Sequence, residues 1–61
     1  MILYPYTIHL FKDLHGQRRN AYIEIYAESP VKAIDTVRNR LRKMASPVAK
    51  WKAEAKLEDK S

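Results

Sequence analysis

Val48-Ala49-Lys50-Trp51-Lys52-Ala53-Glu54-Ala55-Lys56-Leu57 can be read in two ways that lead to different folds. Ala, Lys and Glu are helix formers, and Ser46-Pro47 just upstream is a helix-start signal. Periodicity favours a strand. Trp51, Ala53, Ala55 and Leu57 alternate strictly with Lys50, Lys52, Glu54, Lys56 and Glu58, whereas a helix would scatter Ala53 and Leu57 away from Trp51. Propensity is the weaker signal where a tertiary partner exists, so the segment is assigned as a strand. Glu54 and Glu58 are then ordinary solvated charges; only a helix would make them a carboxylate pair.

Upstream lies a clearer helix. Ser29 can accept an orphan backbone N–H, and Pro30 at the first helical position loses no bond it needed. Ala33, Ile34, Val37, Leu41 and Met44 recur at spacings of three and four, while Lys32, Asp35, Thr36, Asn39, Arg42 and Lys43 point elsewhere. The last turn is basic, as the helix dipole prefers. Before the helix, Tyr6, Ile8 and Leu10 alternate with Thr7, His9 and Phe11, and Ala21, Ile23, Ile25 and Ala27 alternate with Tyr22, Glu24 and Tyr26. Asp13 to Gly16 predicts a turn, so the two strands form an antiparallel hairpin through a loop of roughly five to seven residues.

The expected fold is therefore α+β: a single small β-β-α-β domain over residues 1–61, with a three-stranded, mainly antiparallel sheet and one helix packed on one face. A right-handed crossing places the third strand beside the first. The expected core is Tyr6, Ile8, Leu10, Ala21, Ile23, Ile25, Ile34, Val37, Leu41 and Trp51, and Glu58 to Ser61 read as a frayed polar tail.

With 61 residues and no cysteine, one core must hold without disulfide or thiolate-bound metal. The longest uncharged stretch, Met1 to Phe11, is shorter than the roughly 20 apolar residues that span a bilayer, which predicts a soluble intracellular protein. The formal charge of +5 is unevenly distributed: up to Pro30 the charges cancel, and beyond it nine basic residues oppose Asp35, Glu54, Glu58 and Asp59. Such a half attracts phosphates, acidic lipid or acidic protein.

Catalytic signals are lacking. Ser29 and Ser46 sit where caps belong, a lone Gly16 cannot build a phosphate loop, and His9 and His15 lack the spacing and companions of a zinc site. The expectation is a non-enzyme without metal or cofactor. What remains is the sheet face opposite the helix, where Thr7, His9, Phe11, Tyr22, Glu24, Tyr26, Lys50, Lys52, Glu54 and Lys56 would lie. Aromatic rings and lysines there could stack bases and neutralise phosphates, or dock on an acidic protein surface.

Ile25-Tyr26-Ala27-Glu28-Ser29, a helix containing Ala33, and then Val48-Ala49-Lys50-Trp51-Lys52 together resemble the small gene 2 proteins of T-odd, podovirus-type coliphages, which inhibit bacterial RNA polymerase. The likeness runs without a gap from Ile25 to about Lys52. It implies that Lys50 and Lys52 stand where the family has two arginines on the last strand that bind acidic residues in the jaw of the polymerase β′ subunit, with Trp51 between them packed inward. Lysine supplies a point charge there in place of a bidentate fork. Glu28 and Asp35 match an acidic strip that faces the sigma-factor side in the family, whereas Lys32 and Arg38 reverse its sign. Arg18 and Arg19, expected in the hairpin loop, complete the candidate contacts. The resemblance thus implies a phage-encoded monomer in the cytoplasm of the bacterial host, blocking transcription initiation by protein-protein contact near the downstream DNA channel and not acting at a membrane. The alternative is a small basic nucleic-acid-binding module.

Overall fold

Alternation of β-branched and aromatic residues produces two long strands, β1 (Tyr4–Leu14) and β2 (Gln17–Ala27), in the computed structural model, which describes residues 2–58. They pair antiparallel from Tyr4↔Ala27 to Leu14↔Gln17, so the hairpin turn is only His15-Gly16 and not a longer loop. Both turn residues have positive φ, 51° and 77°, as a two-residue turn matched to strand twist requires. Arg18 and Arg19 are consequently strand residues, opposite Asp13 and Lys12.

Helix α1 spans Pro30–Lys43. Ser29 caps it as expected, its Oγ accepting the Lys32 N–H at 3.2 Å. At the other end the Ser46 N–H donates to the Leu41 carbonyl and the Ala45 N–H to that of Arg42, both at 3.0 Å, a Schellman closure. The left-handed position of this closure, normally glycine, is held by Ala45 at φ 55°. Relief of that steric cost, about 1–2 kcal/mol, outweighs the extra freedom glycine gives the unfolded chain. Ala45→Gly is thus expected to raise the thermal midpoint by a few degrees in a circular-dichroism melt; an unchanged or lower midpoint would contradict this account of the cap.

The helix-start signal at Ser46-Pro47 is obeyed for one turn only. Pro47–Lys50 forms a 3-10 turn capped by Ser46, whose Oγ accepts the Val48 N–H at 3.3 Å, and Trp51 then leaves it in an extended conformation. Strand β3 runs from Lys52 to Leu57. The strand expected from Val48 therefore begins four residues later, and Lys50 belongs to the turn and not to the sheet face.

The sheet has the order β2-β1-β3 and is antiparallel throughout, with α1 packed on one face, so the chain is a small α+β domain of β-β-α-β order. Because β1 is covered on both edges, it supplies three buried residues, Tyr6, Ile8 and Leu10, which form the core with Ala33 and Val37 of α1 and Ala27 of β2. Ala21, Ile23, Ile25, Ile34, Leu41 and Trp51 pack around them but remain half-buried, since edge strands and helix flanks have neighbours on fewer sides. Met44 departs from the expected apolar stripe: it is the helix C-cap and 69% exposed. Glu58 is tied to the sheet, its N–H donating to the Pro5 carbonyl at 3.0 Å and its carboxylate accepting from Thr7 Oγ1 at 2.8 Å. The rest of the expected polar tail lies outside the described residues. Among the described residues no helix is long and apolar enough to cross a membrane.

Candidate functional site

Lys52, the first residue of β3, pairs with Phe11, so Lys12, Asp13 and Leu14 of β1 run on beyond the third strand. Beside this overhang stands the 3-10 turn. Phe11, Lys12, Asp13, Lys50, Trp51 and Lys52 line the resulting cleft, of about 280 Å³. Trp51 is half-buried and packed on the core, which fixes the backbone from which Lys50 and Lys52 project into solvent. Among the described residues neither ammonium has an ion-pair partner.

Lys50 also borders a second and larger groove, of about 650 Å³, between the C-terminal half of α1 and the turn. Arg38 and Arg42 line its helical wall, and Ala45, Ser46, Pro47 and Ala49 the rest. Arg38 holds the two walls together, donating through Nη1 to the Ala49 carbonyl at 3.3 Å. Lys12, Lys52, Lys50, Arg42 and Arg38 therefore border two adjoining hollows at one end of the molecule. Among the described residues the sole acidic group lining either hollow, Asp13, is engaged by Arg18 at 2.9 Å.

That engagement is visible in the acid-base balance of the pair. The hydrogen bond from Arg18 holds the Asp13 carboxyl below its ordinary value against the opposing effect of desolvation, and the charges of Arg18 and, more weakly, Lys52 pull the same way as the hydrogen bond. Asp13 in turn raises the pKa of Arg18. Since the folded-state pKa of Asp13 is depressed, its contribution to stability is present above the ordinary aspartate range and is lost as pH falls through the lowered value. Carboxyl carbon NMR is expected to place the Asp13 midpoint below 3.8, and Arg18→Gln to return it toward that value; an unshifted midpoint in the unsubstituted chain would count against the pair.

The other predicted contacts are scattered. Arg18 is pinned by Asp13 and lies over the Phe11 ring at 4.9 Å, and Arg19 is exposed beside Lys12. Glu28 follows Ala27, the partner of Tyr4, whereas Lys52 pairs with Phe11. Those strand positions are seven residues apart on β1, or roughly 23 Å at about 3.3 Å per residue. Glu28 is also bound to Lys32 at 3.1 Å, and Asp35 is an exposed helix residue. The structure thus gathers Lys50, Trp51 and Lys52 and leaves Glu28 outside their cluster. It adds Lys12, Arg38 and Arg42, which the strand pattern did not single out. The spacing of four between Arg38 and Arg42 was the available signal, since it puts both on one side of a helix.

The sheet face away from α1 has a different character. His9 stacks on Tyr22 with ring centroids 4.6 Å apart and an interplanar angle of 7°, and its Nε2 is 2.7 Å from Asn20 Oδ1. Around them Arg18, Lys52 and Lys56 are interleaved with Asp13, Glu24, Glu54 and Glu58. Positive charge is therefore balanced on this face and concentrated at the end bearing Lys50. Among the described residues no group of three His, Asp or Glu side chains could hold a metal ion.

The chain matches no known family model, and no curated protein or solved structure is significantly similar to it.

Proposed function

We propose that this chain is a phage-encoded, non-enzymatic inhibitor of bacterial RNA polymerase that binds the enzyme through its basic end. The observation that carries the reading is the cleft in which Lys50 and Lys52, both exposed and without an ion-pair partner among the described residues, flank the half-buried Trp51. Exposed cations on a backbone fixed by an apolar anchor suit an acidic protein surface: charge steers the encounter and the Trp51–Phe11 floor supplies burial. The resemblance from Ile25 to Lys52 supplies the partner, the β′ jaw beside the downstream DNA channel, with the sigma-factor side as a further contact.

Lys50 reaches the cleft from the turn and Lys52 from the strand, so the partner's carboxylates meet them across the cleft mouth and not along one strand face. Inhibition needs no bond-making step. A monomer seated there in the host cytoplasm obstructs the passage to a productive open complex.

A second reading, a nucleic-acid-binding module, draws on Tyr22 and Tyr26, which are 66% and 63% exposed and four residues apart on the same face of β2. Against it stand the carboxylate of Glu24 between them and the balanced charge of that face, since base-stacking platforms pair their rings with a basic groove. Promoter-dependent transcription by the host holoenzyme separates the two. The expected result is loss of transcript as the chain is added, with no binding to naked DNA. Undiminished transcript at saturating protein would eliminate the proposal, and steeply salt-dependent binding to free nucleic acid would favour the alternative.

A further inference from the structure

We infer that the groove between the C-terminal half of α1 and the 3-10 turn is a second anion-recognition site, which takes an acidic protein segment and holds its carboxylates with Arg38, Arg42 and Lys50. The inference deepens the reading of the basic end as a protein-binding surface and rests on it.

Arg38 and Arg42 are one helical turn apart, about 6 Å along the axis, so their guanidinium groups arise from the same wall. Arg38 is partly buried and tethered through one nitrogen to the Ala49 carbonyl, which restricts its side chain while leaving further N–H donors for a ligand. Arg42 is exposed, and its Nη1 donates to Asn39 Oδ1 at a long 3.5 Å. Together they offer the bidentate geometry for carboxylates that Lys50 and Lys52 lack. Among the described residues no acidic side chain lines the groove. The helix C-terminus would ordinarily repel an anion, but the Leu41 and Arg42 carbonyls are already satisfied by the Ser46 and Ala45 N–H groups.

The groove also indicates which anion. Among the described residues its lining has no aromatic ring on which a base could stack, and Ala45, Pro47 and Ala49 give the cations apolar surroundings suited to the methylene stems of glutamate. At about 650 Å³ it has room for several side chains of an extended segment, far more than one phosphate needs. Because Lys50 borders both hollows, a partner whose acidic residues meet Lys52 can continue into the groove without a break.

The test uses the full chain, isotopically labelled, titrated with a short polyglutamate peptide blocked at both ends and, separately, with an oligothymidylate of the same formal charge. The peptide is expected to shift the amide resonances of Ala45, Ala49 and Lys50. Arg42→Glu should weaken its binding roughly tenfold or more, whereas Arg40→Glu, an equal charge change on an exposed residue outside the groove, should weaken it only about two- to threefold. Arg38 is left intact because it holds the turn, and circular dichroism confirms that both variants are folded. Equal losses in the two variants, shifts centred on Tyr22 and Tyr26, or tighter binding of the oligothymidylate in the groove would overturn the inference. No polymerase is present, so this outcome is independent of the transcription experiment: a groove that fails beside intact inhibition condemns the groove alone.

Discussion

Lys50→Glu and Lys52→Glu together are expected to weaken binding to the polymerase and inhibition of transcription by about a hundredfold or more, with a native circular-dichroism spectrum. Both side chains are exposed, and among the described residues neither takes part in an ion pair that holds the fold. Their reversal therefore acts on the partner. Attraction to carboxylates becomes like-charge repulsion, worth several kcal/mol across an interface, and about 3 kcal/mol is already two orders of magnitude in affinity. The neutral pair Lys50→Gln and Lys52→Gln should give an intermediate loss, and added salt should narrow the gap between all three proteins. Full inhibition by the folded charge-reversed variant would remove the basic cleft from the mechanism.

Leu10→Ala should leave the chain largely unfolded at room temperature. Leu10 has no solvent exposure and sits at the middle of the central strand, between Ala21 on β2 and Ala53 on β3. With alanine as its cross-strand partner on both sides, neither lateral neighbour can fill the void, so the cost belongs in the range of about 2–5 kcal/mol for such truncations. A chain of 61 residues without disulfides has a total stability of about that size. Met44→Ala removes a comparable side chain from a site 69% exposed and should change stability by less than about 0.5 kcal/mol. Thermal unfolding followed by circular dichroism checks both, and a cooperative Leu10→Ala transition within a few degrees of the parent would show that the core lies elsewhere.

Most of the architecture was legible because its signals agreed with one another. Alternation in both long strands, the Ser29 cap with Pro30, and the period-two pattern of Lys52 to Leu57 each correspond to an element of the structure. The departures have local causes. Histidine at positive φ in the hairpin turn carries little sequence signal, so the sequence alone suggests a turn longer than His15-Gly16 that takes in Arg18 and Arg19. Ser46-Pro47 announces a helix without its length, and the turn ends when Trp51 docks on the core.

The candidate site was legible only in part for the same reason. Lys50, Trp51 and Lys52 are contiguous in the chain, whereas Lys12 joins them through strand overhang and Arg38 and Arg42 through the reversal at Ala45. Charge counting located the basic half but could not show that Arg38 and Arg42 open onto a groove shared with Lys50. Nor could it show that the sheet face expected to be cationic carries a carboxylate beside nearly every cation.

Carbodiimide coupling of the complex bears on the proposed contact without intermediaries, because it forms an amide only between an ammonium and a carboxylate already touching it. Mass spectrometry of the coupled chain and polymerase holoenzyme should find Lys50 and Lys52 joined to aspartates or glutamates of the β′ jaw. Products that join the polymerase only through other lysines, such as Lys32 or Lys56, with Lys50 and Lys52 left unmodified, would contradict it.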